Sequence, residues 1–418
     1  MDGEAMKSDY LLPAVVVRRN GGLMKLRAGT AGVMAAWIVA VFCSPVHAQV
    51  KIDPELAEFK PAESVTGTLK IIGSDTMKNQ MGLLSEGFAK YYPNVQFEIE
   101  GKGSATAPGP LLAGQSQFAP MSRGMKAKEV NDFKQKYGYP PVALPTSIDM
   151  LEVYVHKDNP LKGLTLQQVD AIFSRSRKGG YAKAINTWGD LGLSGDWADK
   201  PIALYGRNKI SGTNKFFLEH ALFNGSFRDE VKEQADSESV VKHVADDKYA
   251  VGYSGMGYKT DAVRSVPLAL DVKSPYIAPE PKNAYSGDYP LTRMLLLYVN
   301  YKPRSKLDPL RREFIRYLYS RQGQSDVVRS GFLPLGNLSA TRGLSSVELK
   351  AAGLAAFEHP PGEPAEAEEP AINRSAAASP AAAPTTDKTT VDAAQPTTQG
   401  YVPGTRAKRR WGWFGRRN

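Results

Sequence analysis

Between about residues 66 and 345 the apolar positions switch repeatedly between a two-residue and a three-to-four-residue spacing. Leu69-Lys-Ile-Ile72 predicts a short strand ending at Gly73. Met77, Met81, Leu84 and Phe88 then share one face of a helix that stops near Tyr91-Tyr-Pro93. Val95, Phe97 and Ile99 alternate as a second strand ending at Gly101. Leu111 and Leu112 belong to a second helix, with Pro108 and Pro110 in its first turn or just before it, where a missing N–H is harmless. Phe118 to Met121 predicts a third strand, and Glu129, Val130 and Phe133 open a third helix. This rhythm predicts an α/β protein whose mainly parallel sheet is covered by helices.

A second unit begins after Asp149. Met150 to Val155 is strand-like, Gln167 to Phe173 helical, and Ile202-Ala-Leu-Tyr205 a strand that delivers Arg207. Phe217, Leu218, Ala221 and Leu222 share a helical face, and Tyr289 to Val299 is a long apolar run suited to a crossover strand. Closing helices around Leu310–Tyr319 and Gln322–Arg329 can rejoin the first unit. The expected organisation is two lobes with a cleft between them and two crossings: residues 49–149 with 290–350 form lobe I, and 150–289 form lobe II.

Composition changes the picture only at the ends. The chain of 418 residues carries a net charge of +10, but the first 48 residues hold five Lys/Arg against three acidic residues, and residues 406–418 hold six Lys/Arg and no acid. Only +2 is left for the body, so the charge gives no reason to expect a nucleic-acid partner. Lys25 and Arg27 precede an apolar run from Ala31 to Cys43, closed by Val46-His-Ala48. That pattern predicts a cleavable export signal over residues 1–48 with an over-long start, cut before Gln49. The run is too short to span a bilayer. Cys43, the only cysteine, lies inside it, so the exported chain can form no disulfide. Residues 351–405 are rich in Ala, Pro and Thr and predict a disordered linker. Beyond it, Trp411, Trp413 and Phe414 sit between cationic clusters in residues 406–418, a composition suited to an anionic membrane or envelope surface.

The candidate chemistry lies where the predicted strands end. Gly73-Ser-Asp-Thr76, Gly101-Lys-Gly-Ser-Ala-Thr106, Met121-Ser-Arg123 and Arg207 with Ser211-Gly-Thr213 each follow a strand and precede a helix. Such junctions aim N–H groups and hydroxyls at an anion, at the strand ends where open α/β sheets bind ligands. Ser74, Thr76, Ser104, Thr106, Ser122, Ser211 and Thr213 each offer an O–H donor, Gly103 and Gly212 permit close backbone approach, and Arg207 and Arg123 can add charge-assisted bonds. Asp75 differs in kind: it can accept a proton from a protonated oxyanion, or it can favour a helix N-terminus. Any one junction taken alone is an ordinary helix cap; the corresponding positions of all four point to a small tetrahedral oxyanion.

These residues carry a resemblance to the substrate-binding component of bacterial phosphate ABC transporters. It runs through Ile71-Ile-Gly-Ser-Asp-Thr-Met77, Glu100 to Thr106, Ala119 to Arg123, Asn186 to Leu191, Gly206 to Thr213 and Val251-Gly-Tyr-Ser-Gly255. The resemblance implies a two-lobed periplasmic binding protein type II fold that closes by hinge motion. It also implies a monomer outside the cytoplasm, periplasmic or secreted, with inorganic phosphate as ligand and ABC permease subunits as partner. It carries phosphate contacts onto Ser74, Thr76, Ser104, Arg207, Ser211, Gly212 and Thr213. Members of the family often place an Asp where this chain has Arg123, so Asp75 or Asp149 is expected to supply the missing acceptor, with arsenate, sulfate or a phosphate ester as the other candidate ligands. A secreted phosphatase, or an envelope-attached phosphate sensor or adhesin, is the competing reading. Against the phosphatase, the five histidines (His47, His156, His220, His243 and His359) are scattered and no metal set is apparent, so no cofactor or metal is expected.

Overall fold

Residues 50–349 are described by a computed structural model; the expected export signal, linker and basic-aromatic tail lie outside them. Strand β1 (Gly67–Gly73) leads into helix α1 (Lys78–Ala89). β2 (Val95–Gly101) leads through a 3-10 turn at Ser104–Thr106 into α2 (Pro108–Ala113), and β3 (Phe118–Met121) into α3 (Ala127–Tyr137). Pro108 opens α2, where its fixed φ suits the first turn. A long strand β4 (Val142–His156) follows, then β5 (Leu164–Thr165) and α4 (Leu166–Phe173). Thr165 and Gln168 close a reciprocal capping box at the start of α4. Next come β6 (Ala203–Arg207), α5 (Gly212–His220), β7 (Lys232–Gln234), α6 (Ser237–Asp246), β8 (Ala250–Gly255) and a 3-10 turn at Met256–Tyr258. The chain ends with β9 (Val263–Ser265), β10 (Leu268–Ala269), α7 (Pro281–Ser286), β11 (Thr292–Val299), α8 (Pro309–Leu318), α9 (Arg321–Arg329) and α10 (Asn337–Ser345).

The main sheet runs β2-β1-β3-β11-β4-β8-β6-β7, with β9 also on β4. Its outer pairs are parallel, β1 with β2 and β3, and β6 with β7 and β8. Its centre is antiparallel, because β11 and β4 run against their neighbours. The sheet is therefore mixed, a departure from the mainly parallel expectation: the strands that cross between lobes are laid in reversed direction. β4 belongs to both lobes. Its Val142–Met150 half pairs with β11, and its Leu151–Val155 half pairs with β8. The expected boundary at 149/150 thus falls inside one continuous strand.

The strand expected from Met150 to Val155 extends back to Val142, through a stretch in which Pro145 has no N–H to give to a ladder. The pairing explains how Pro145 is accommodated: Leu296 faces Pro145 and Leu295 faces Ser147, leaving Thr146 as the extra residue of a bulge. The Thr146 hydroxyl donates to the Leu295 carbonyl at 3.1 Å, recovering a bond at the irregularity.

Aromatic packing anchors each lobe. Phe88, Phe97, Phe118 and Phe314 meet between α1, α8 and the first half of the sheet. In the second lobe Tyr253 of β8 stacks on Phe217 of α5 with centroids 3.8 Å apart, while Phe173 of α4 packs edge-on against both. Truncating a ring of this kind to alanine costs about 3–5 kcal/mol. The Tyr253 hydroxyl accepts the Arg207 backbone N–H at 3.1 Å, so this core also holds the end of β6 in place.

One core carboxyl links the fold to pH. Glu152, on β4 opposite Ser254, is 3% exposed and accepts a hydrogen bond from Ser265 of β9. Burial pushes its carboxyl up to about 7, against the opposing pull of Ser265, Lys259 and Tyr154 and with help from Asp149. A carboxyl raised in the folded state keeps its proton longer than in the unfolded chain, so this contribution is complete below the ordinary Glu range and is lost as pH rises through about 7. The expected loss is at most on the order of 3 kcal/mol. Glu152→Gln is expected to flatten the fall in melting temperature between about pH 5 and about pH 8. Equal slopes for variant and wild type would remove this assignment.

Candidate functional site

Three strand ends of the first lobe bring their hydroxyls together. Ser74 after β1 donates to Ser122 Oγ after β3 at 3.2 Å, and Ser122 Oγ lies 3.2 Å from Ser104 Oγ after β2. Ser104 Oγ also accepts the Ser122 N–H at 3.0 Å. Thr76 lies on the same rim, and all four residues are buried. Part of the expected backbone donor set is already used: Ser74 N–H goes to the Pro120 carbonyl, and the Lys102 and Gly103 N–H groups share the Gly73 carbonyl.

The second lobe presents Arg207 and the start of α5. Ser211 is the N-cap, its Oγ accepting from the Thr213 and Asn214 N–H groups, so its own O–H remains free to donate. The two lobes meet directly. Thr76 Oγ1 and Thr213 Oγ1 are 2.9 Å apart, Ala105 N–H donates to the Ile210 carbonyl, and Tyr258 O–H reaches the carbonyls of Asp75 and Thr76. Two glycines make this approach possible. Gly103 has φ +121°, and a Cβ there would stand 2.7 Å from the Ile210 carbonyl oxygen; a Cβ on Gly212 would stand 2.3 Å from Ser104 Oγ.

Charge at this junction is paired across the lobes. Arg207 Nη1 lies 2.7 Å from Asp75 Oδ2, with both side chains buried. The guanidinium is held by Ser237 Oγ at 2.8 Å and the Ala235 carbonyl at 2.9 Å. The ion pair is close but not aligned as a hydrogen bond, and neither Asp75 oxygen has a hydrogen-bond partner among the described residues. Asp149 is the opposite case. Its Oδ2 accepts from Arg293 Nε at 2.9 Å and Nη2 at 2.7 Å, and its Oδ1 from the Met256 N–H at 3.1 Å. Of the two expected acceptors, only Asp75 has oxygens to spare.

Two sequence candidates face elsewhere. Arg123 forms a two-pronged pair with Glu129 at 2.8 Å and bonds the Gly124 carbonyl, so its charge serves the start of α3. Burial works against ionised Glu129, but Arg123 and the Lys126 N–H hold its carboxyl below the ordinary range. Thr106 donates to the Gly103 carbonyl at 2.8 Å and closes its own turn. Conversely, Arg293 and Ser237 were not singled out from sequence. Arg293 is buried on β11, donating to Asp149, to the Ser122 carbonyl at 3.1 Å and to Thr213 Oγ1 at 2.9 Å. Its one sequence signal is a lone charge in the apolar run Leu291-Thr-Arg-Met-Leu295. A surface groove of about 650 Å³ lies away from this junction, lined by Thr66, Gly67, Gln117, Asn300 and Arg311, and shares no residue with it.

Two α/β lobes joined through shared strands, with polar donors on both facing rims, define a solute-binding protein of the two-lobed kind. The family model for the PBP superfamily domain accordingly matches residues 60–322. Within that superfamily the chain belongs to the PstS phosphate-binding proteins: it is 46% identical over 315 residues to the phosphate-binding protein PstS of Pseudomonas aeruginosa, covering 75% of this chain and 98% of that one. Solved structures agree on the fold. A candidate phosphate ABC transporter substrate-binding protein from Clostridium perfringens, with bound phosphate, superimposes with a TM-score of 0.54 at 24% identity, covering 64% of this chain and 99% of that one. An ABC-type phosphate transport receptor from Vibrio cholerae gives a TM-score of 0.50 at 21% identity, covering 64% and 100%.

Proposed function

We propose that this chain captures inorganic phosphate between its lobes outside the cytoplasm, in the periplasm or as a secreted protein, and delivers it as a monomer to the membrane subunits of an ABC permease. The observations that carry this reading are the Ser74, Ser104 and Ser122 hydroxyl cluster, the Thr76–Thr213 contact across the lobes, and Arg207 paired with Asp75, a carboxylate that accepts no hydrogen bond among the described residues. A tetrahedral oxyanion needs several donors, and one that carries a proton also needs an acceptor. Hydroxyls that bond one another across the lobes can turn onto such an anion, so binding exchanges weak neutral bonds for stronger charge-assisted ones. The contacts are assigned to Ser74, Asp75, Thr76, Gly103, Ser104, Ser122, Arg207, Ser211, Gly212 and Thr213; lobe I is residues 49–149 with 290–350, and lobe II is 150–289.

Binding without turnover is the proposed activity. Among the described residues no group of three or more His, Cys, Asp or Glu is placed to hold a metal ion, and no histidine contacts a serine of the cluster. Calorimetric titration with phosphate, arsenate, sulfate and a phosphate ester from about pH 5 to about pH 9 is expected to show one-to-one binding that favours phosphate and arsenate. Absence of phosphate binding by the folded chain would overturn the reading, as would hydrolysis of an aryl phosphate that Ser104→Ala abolishes. The basic-aromatic tail lies beyond the family match, and we assign it to an anionic membrane or envelope surface. Deleting residues 401–418 is expected to leave phosphate affinity unchanged and to reduce co-sedimentation with anionic vesicles; equal sedimentation would refute this assignment.

A further inference from the structure

Arg293 touches more of the interlobe junction than any ligand contact requires. It stands on β11 directly opposite Asp149 on β4, the strand shared by both lobes. One guanidinium places Nε and Nη2 on Asp149, Nη1 on the Ser122 carbonyl and Nη2 also on Thr213 Oγ1, while its carbon lies 5.2 Å from the Phe216 ring centroid. Asp149 and Ser122 belong to the first-lobe half of the sheet; Thr213 and Phe216 lie on α5 of the second lobe. Asp149 is itself fixed by the Met256 N–H. Arg293 is thus anchored on one side and reaches the other lobe through a single hydroxyl and a ring face.

Resting on the phosphate-binding reading, we propose that Arg293 is the closure latch of the cleft: it fastens Thr213 to the Asp149 hinge position when the lobes meet and aims the Thr213 hydroxyl at the ligand. A guanidinium only donates, so its bond to Thr213 Oγ1 takes up an acceptor lone pair and leaves the threonine proton for another oxygen. In this structure Thr76 Oγ1 is within reach of that proton at 2.9 Å; a bound oxyanion offers a stronger acceptor in the same place. Opening the lobes breaks the bond to Thr213 and the contact with Phe216 but leaves Arg293 on Asp149 and Ser122. The latch therefore acts on escape of the ligand more than on its capture. It is a positioning residue, working through Thr213.

The test uses the full chain and stopped-flow release of phosphate. Arg293→Gln and Thr213→Val are each expected to raise the phosphate dissociation rate about 10- to 100-fold, the scale of one hydrogen bond to a charged group, with little change in association rate. The double variant is expected to release phosphate no faster than the faster single variant, because the two residues form one connection. Arg293→Lys is expected to recover the melting temperature without restoring slow release, since one ammonium lacks the fork that serves Asp149 and Thr213 together. A merely structural Arg293 would lower the melting temperature and leave the release rate at the wild-type value, which would overturn the latch. Additive effects of the two single variants would overturn it equally. If Arg293→Gln does not fold, release from Thr213→Val and Arg293→Lys decides the matter in the same way. Wild-type chain that binds no phosphate would sink the ligand assignment itself, whereas tight wild-type binding with unchanged variants sinks the latch alone.

Discussion

Arg207→Met is expected to weaken phosphate binding by about three orders of magnitude, the scale for removing one member of a desolvated charge pair, and to destabilise the fold at the same time. Arg207 is 1% exposed, and its guanidinium makes the close approach to Asp75, with Ser237 and the Ala235 carbonyl holding it in place. Removing it leaves Asp75 buried without a countercharge, a change that costs about 3–5 kcal/mol. The two losses separate in a second variant. Arg207→Met combined with Asp75→Asn restores much of the melting temperature, because no unpaired charge is left inside, yet phosphate affinity stays low. Arg207→Lys is expected to fall between, retaining the charge but losing the planar fork that serves Ser237, Ala235 and an anion together. Thermal melts and calorimetric titration on the three variants read both effects. A double variant that regains wild-type affinity would show that Arg207 is a structural counter-ion and not a ligand donor.

The strand-end hydroxyls were legible from sequence because local rules place them. Ser74, Thr76, Ser104 and Ser122 each lie one to three residues after a predicted strand, and parallel pairing of β1 with β2 and β3 brings those ends to one edge whatever the detail of the loops. Arg207 and Ser211 were legible for the same reason, as the end of β6 and the cap of α5. What periodicity cannot supply is which charge meets which. Arg123 and Asp149 both looked available in the chain; in space, Arg123 is taken by Glu129 on the next helix and Asp149 by Arg293, 144 positions away. That second partnership depends on the antiparallel register of β11 on β4, which the apolar run around Arg293 conceals. The first half of β4 is concealed by Pro145, which the bulge at Thr146 tolerates. Helix α6 was also missed, although Asp236 caps it and Ser237 at its first turn holds Arg207, so the site depends on an element that no glycine or hydroxyl motif marked.

Those partnerships narrow the ligand through Asp75. A carboxylate can only accept, and both oxygens of Asp75 are buried without a hydrogen-bond partner among the described residues, beside Arg207 and under Tyr258. Burial, followed by the nearby Asp75 charge, raises the Tyr258 phenol well above its ordinary value, so that hydroxyl stays protonated and remains committed as a donor to the carbonyls of Asp75 and Thr76. On the proposed phosphate-binding reading, the ligand is expected to bring its own proton to Asp75. Monobasic and dibasic phosphate do; sulfate, fully ionised, places charge against charge. A site built to bond a ligand O–H rejects an analogue lacking it by up to about 10⁴- to 10⁵-fold. Asp75→Asn turns the acceptor into a group that can also donate, and its phosphate-to-sulfate preference is expected to fall at least about 100-fold, mainly through gained sulfate affinity. Arg207 keeps Ser237 and Ala235 in this variant, so a change in preference is not an effect of a displaced guanidinium. Competition calorimetry with the two anions at one pH reads the ratio directly. An unchanged ratio in Asp75→Asn would mean that discrimination rests on the hydroxyls alone, and equal affinities in the wild type would mean that the Asp75 carboxylate selects nothing.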